Sequence, residues 1–111
     1  MDDFRLKEND TIMSINAIKA FVVVRFFDED TNEEQFFIDA LYNDHGYCDS
    51  FGSLRASTVS GISDDFSSVS IKLGLWSEDG YRLDNRYTIL FRGSSLREAY
   101  WFFKSAVQDC R

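Results

Sequence analysis

Residues 17–27 read AIKAFVVVRFF, and their pattern decides the fold. β-branched and aromatic side chains dominate, which favours an extended strand. Ile18, Ala20, Val22, Val24 and Phe26 alternate onto one face, and Lys19, Phe21, Val23, Arg25 and Phe27 onto the other. Apolar groups on both faces predict a central strand covered on two sides. A polar connection, DEDTNEE (28–34), follows, and then QFFIDALY (35–42). The second stretch alternates Phe36, Ile38, Ala40 and Tyr42 against Phe37, Asp39 and Leu41. Two such runs around a polar link predict an antiparallel hairpin.

Working outward, VSIKLGLW (69–76) and RYTILFR (86–92) read as two further strands around SEDGYRLDN. Val69, Ile71, Leu73 and Leu75 alternate with Ser70, Lys72 and Trp76, while Tyr87, Ile89 and Phe91 oppose Thr88, Leu90 and Arg92. Asp79-Gly80 is a strong turn dipeptide, so the pair is expected to form a second hairpin. LRASTVSGI contains the β-formers Thr58 and Val59 and reads as a short strand within the weakly patterned stretch 43–68. Residues 1–15 are ambiguous between strand and helical turn. Gly93 stops the sheet, and Ser95-Leu96-Arg97-Glu98 has the spacing of a capping box. The helix it opens gathers Leu96, Ala99, Tyr100, Phe103, Ala106, Val107 and Cys110 on one face, with Phe102 at its edge. The expectation is a single α+β domain over 1–111. It has an antiparallel sheet of four to five strands in two hairpins, with a C-terminal α-helix packed on one face.

Trp101 projects away from that stripe, among Arg97, Glu98, Lys104, Ser105 and Gln108. Its ring either lies under the stems of Arg97 and Lys104, packs on the N-terminal segment, or faces a partner. Trp is enriched among binding hot spots.

The chain has 111 residues, 44 % of them hydrophobic, which is enough for one core and argues against disorder. There is no apolar run of membrane-spanning length and no apolar signal core at MDDFRLKEND, so a cytoplasmic protein with no membrane association is expected. Cys48 and Cys110 lack metal-ligand spacing and read as reduced thiols in the cytosol, or as one disulfide in a secreted protein. The net charge of −7 is concentrated in residues 28–79. There Asp28, Glu29, Asp30, Glu33, Glu34, Asp39, Asp44, Asp49, Asp64, Asp65, Glu78 and Asp79 face only Arg55 and Lys72. Acidity of this kind disfavours direct nucleic-acid binding and steers toward basic partners. Tyr81, Arg82, Arg86, Tyr87, Phe91 and Arg92 interleave as on some single-strand RNA platforms, but Tyr87 and Phe91 belong to the core alternation.

No phosphate-binding, dinucleotide-binding, Cys-x-x-Cys or nucleophile-elbow motif occurs, so no enzyme activity and no cofactor are expected. His45, beside Asp44, Cys48 and Asp49, is the one place where a small enzyme would be centred, yet NDHGYCDS also reads as a polar turn. The hairpin-tip carboxylates lack an EF-hand pattern. The reading with most support is a small acidic inhibitor. It would occlude the basic, nucleic-acid-facing site of a larger protein or nuclease through Asp28, Glu29, Asp30, Glu33, Glu34, Asp44, Asp49 and Trp101. An immunity protein against a nuclease toxin and a phage-type anti-defence protein (anti-CRISPR or anti-restriction) both suit it. The alternative is a homodimeric assembly module using Trp101 and a sheet edge.

Overall fold

A computed structural model describes residues 10–43, 54–78 and 80–109. Six strands form one sheet: β1 (Asp10–Ser14), β2 (Ala20–Asp28), β3 (Glu33–Tyr42), β4 (Arg55–Ile62), β5 (Ser68–Ser77) and β6 (Tyr87–Gly93). Their order is β1-β5-β4-β3-β2-β6, and every neighbouring pair is antiparallel. A short helix, α1 (Gly80–Leu83), precedes β6, and the long helix α2 (Leu96–Asp109) follows it.

The α+β class, the β2–β3 hairpin and the C-terminal helix are as the sequence predicts. The strand count is not: there are six strands, because the ambiguous N-terminal stretch supplies β1 and residues 55–62 form a full strand. β2 begins at Ala20 rather than residue 17, because Ile15–Ala17 is a 3₁₀ turn. The Ser14 side chain accepts from the Asn16 N–H, and the Ile18 N–H donates to the Ile15 carbonyl.

β2 lies between β3 and β6, and Ala20 to Val24 are all buried. Phe21 and Val23 join Ile38, Ala40, Tyr42, Val69, Ile71, Leu96 and Ala99 in a core under α2. Ala20, Val22 and Val24 join Leu41, Ala56 and Tyr81 in a second cluster on the opposite face. Both faces of β2 are therefore covered, as its unbroken apolar run requires. Each fully buried Phe or Leu contributes about 1.5–3 kcal/mol.

The second hairpin does not exist. β5 pairs with β4 and β1, whereas β6 pairs with β2 on the far side of the sheet. The link that reads as a tight turn contains α1, whose Tyr81 fills the second cluster and is 6 % exposed. The alternation of β6 also breaks. Val23 pairs with Phe91 and Val24 with Ile89, so Leu90 is an extra residue in a bulge. Leu90 and Phe91 consequently both pack on the α2 side.

The sheet is strongly coiled. β1 and β2 are consecutive in the chain yet have β5, β4 and β3 between them. Four strand spacings span about 19 Å, and Ser14 lies nearly a strand length from the start of β2 in register. A flat sheet would need about 28 Å for this step, more than the six residues from Ser14 to Ala20 can reach at about 3.5 Å each. The sheet must therefore curl so that the ends of β1 and β2 approach. The β4–β5 ladder shifts register twice, between Ala56 and Thr58 and between Val59 and Gly61, and irregularities of this kind let a strand bend.

Ser95 caps α2: its side chain accepts from the Glu98 N–H at 3.2 Å. Leu96 and Ala99 are buried, and Tyr100, Phe102 and Phe103 pack partly buried against the same core. Phe102 stacks on Phe91, with ring centroids 5.5 Å apart.

Candidate partner-binding site

The β2–β3 turn is built from its own acids. The Asp28 carboxylate accepts from the Asp30 N–H at 2.9 Å, and the Asn32 N–H donates to the Asp28 carbonyl at 2.7 Å. Asn32 takes the left-handed conformation, φ 62°, that Asn tolerates better than most residues. Asp28 is thus a turn-builder, half-buried, while Glu29, Asp30 and Glu33 are exposed. Glu34 lies 3.8 Å from Arg25. The turn sits on a ladder running without interruption from Asp28↔Glu33 to Ala20↔Leu41. Its carboxylates are held on a stiff arm.

A second pair of carboxylates lies in the β4–β5 turn. Asp65 Oδ1 accepts from the Ser63 and Ser67 hydroxyls and the Ser67 N–H, which holds its carboxyl below the usual carboxylate range. The Ser63 hydroxyl accepts in turn from the Ser67 and Ser68 N–H groups at 3.0 Å. This net fixes Phe66 in the left-handed region, φ 59°, which is strained for a bulky residue. The Phe66 ring meets Tyr100 edge-on at 5.7 Å. Asp64 beside it is exposed.

Trp101 is 69 % exposed. It is not tucked under the neighbouring cations: Arg97 lies over Phe66 at 4.4 Å and Lys104 over Tyr100 at 5.5 Å. Asp44, His45, Cys48, Asp49 and Cys110 lie outside the described residues. Asp28, Glu29, Asp30, Glu33 and Glu34 are brought together by one turn, whereas Trp101 belongs to the separate surface of α2.

Among the described side chains, several of the interleaved residues are engaged in contacts of their own. Tyr81 is buried. Arg86 binds Asp84 through Nε at 3.0 Å and Nη2 at 2.7 Å and lies over Phe26 at 5.2 Å. Those hydrogen bonds, followed by the ion-pair attraction, lower the Asp84 carboxyl to about 2. Arg92 is likewise bound to Glu78, at 2.6 Å.

One arrangement is missed by sequence reasoning. Asp39 stands among the apolar residues of the second face, where the Tyr81 hydroxyl donates to its Oδ2, while Oδ1 has no hydrogen-bond partner. Burial pushes the Asp39 carboxyl up, against the smaller opposing effects of Tyr81 and Thr58. Burial, followed by the neighbouring Asp39 charge, pushes the Tyr81 hydroxyl up as well. The available signal is an acid at an apolar register position, between Ile38 and Ala40; its partner comes from a link read as a plain turn.

Among the described residues no group of three or more His, Cys, Asp or Glu side chains is placed to hold a metal. None of their helices is long and apolar enough to cross a membrane. Comparison with protein-family models, with curated proteins and with solved structures finds no match.

Proposed function

We propose that this is a small binding protein that docks on the basic, nucleic-acid-facing surface of a larger protein and blocks it by occlusion. The observation carrying this reading is the β2–β3 turn, where Glu29, Asp30 and Glu33 stand exposed on an uninterrupted ladder. Exposed carboxylates clustered on one ordered turn present negative charge of the kind that phosphate-binding sites read. Because the turn is already ordered by its internal hydrogen bonds, little conformational freedom is lost on docking. Immunity against a nuclease toxin and blocking of a nucleic-acid-targeting defence system are the settings that use such a device.

The test measures binding to a panel of basic nucleases and nucleic-acid-binding proteins at low and moderate salt, for the wild type and for the triple variant Glu29→Gln, Asp30→Asn, Glu33→Gln. Salt and neutralisation should each weaken the complex by about tenfold or more, largely through the association rate. A complex indifferent to both overturns the reading.

A second reading, a homodimeric assembly module, rests on Trp101 and on Ile12, 60 % exposed in the edge strand β1. Light scattering with and without Trp101→Ala separates it: a monomer in both cases removes it.

A further inference from the structure

β3 has neighbours on both sides for only part of its length. Its ladder with β2 extends from Glu33 to Leu41, but its ladder with β4 covers only Asp39↔Thr58 to Tyr42↔Arg55. Beyond Thr58, β4 continues through Val59 to Ile62 on its ladder with β5, which runs from Arg55 to Ile62 along its other edge, but has no β3 partner there. Among the described residues no strand pairs with the β4-facing side of residues 35–38. Where the strands part, a groove of about 540 Å³ opens between β3, β4 and α2. Its walls include Phe36, Ile38, Val59, Ile62, Tyr100 and Phe103. The helix packs over β2, β3 and β6, and its Tyr100 and Phe103 form one wall of the groove.

A strand interior with backbone groups unmatched on one side, next to an apolar trench, is the arrangement that captures an extended peptide. Charge indicates which peptide. At the closed end the groove stops at the Asp39↔Thr58 rung. In the other direction β3 leads through Glu33 to the exposed Asp30 and Glu29, and Asp64 lines the groove at the β4–β5 turn. Arg97 and Lys104, on the helical side, already lie over Phe66 and Tyr100, and Arg25 lies beside Glu34.

We propose that the groove takes an extended segment of the basic partner, added as a strand to β3 at residues 35–38. Its alternate apolar side chains enter the trench between Phe36, Val59 and Tyr100. Its lysines or arginines leave alongside Glu33, Asp30 and Glu29. The inference rests on the docking reading above and assigns it a second, apolar anchor.

The probe is a synthetic peptide of about eight residues alternating valine with lysine and ending in two lysines, long enough to pass residues 35–38 and reach the turn. Backbone amide shifts and hydrogen exchange are followed by NMR on the full chain. Slowed exchange at residues 35–38, and about tenfold weaker binding for the groove-filling Val59→Phe, are expected. Ile62→Lys provides a second block, and urea unfolding of both variants checks that they fold. A glutamate-for-lysine peptide should not bind. Peptide shifts confined to residues 28–34, with Val59→Phe and Ile62→Lys binding as the wild type does, overturn the groove and leave the charge-docking reading intact. Absence of any shift overturns the groove, and the docking reading is then judged separately on the basic-protein panel.

Discussion

Trp101 and Asp39 are opposites at the residue scale, a large apolar ring in water and a carboxyl in the core. Nothing in the core depends on the Trp101 ring, so Trp101→Ala should shift unfolding free energy by no more than about 0.5 kcal/mol in urea. If the ring meets the partner as a hot spot, the same change should weaken that complex by about thirtyfold or more. Asp39 carries a pH dependence. Its carboxyl is raised in the folded protein, so the folded state holds the proton more tightly than the unfolded one. The associated stability is present below the unfolded value of 3.8 and is lost as pH rises through the folded value. Wild type should therefore lose stability relative to Asp39→Asn as pH rises from below 4 toward neutrality, measured by urea unfolding at successive pH values. A constant difference between the two proteins would contradict the assignment. Trp101 is legible from helical periodicity alone. Asp39 is half legible: its register position shows, but the hydroxyl that meets it does not.

Among the elements, those governed by local pattern are the ones sequence predicts. Ala20 to Val24 alternate apolar groups onto two faces, and both faces are buried. Ser95 caps α2, and Leu96 and Ala99 lie beneath it. The pairing of β5 with β6 fails because strand adjacency is not a local property: Asp79-Gly80 reads as a turn, but Tyr81 has an apolar face of the sheet to cover. The bulge in β6 was equally invisible, since Leu90 and Phe91 become neighbours on one face only through their register with β2. It has a measurable consequence at the strand end. A Cβ at Gly93 would come within 2.8 Å of the Phe91 ring, which is stacked on Phe102 and cannot swing away freely. Gly93→Ala should cost about 1–3 kcal/mol of stability, as overpacking does, with Phe102→Leu relieving part of it. If Gly93→Ala is as stable as the wild type, the close approach is not real.

At the scale of the molecule, charge and topology divide the labour. Composition alone makes the chain acidic, and the fold places Glu29, Asp30 and Glu33 on an exposed turn rather than spreading them. The groove was not legible, because it exists only where β4 leaves β3, a consequence of curvature and not of residue type. The same topology dictates an order of events during synthesis. Asp10 pairs with Lys72, more than sixty residues later, and Phe21 pairs with Gly93, more than seventy later. The β2–β3, β3–β4 and β4–β5 pairings can all form from neighbouring chain as it emerges from a ribosome. β1 must wait for its β5 partner until β5 emerges, and the central strand lacks one neighbour until β6 emerges, with α2 still to follow. A nascent chain stalled before residue 87 would have the acidic turn assembled and the apolar face of β2 bare.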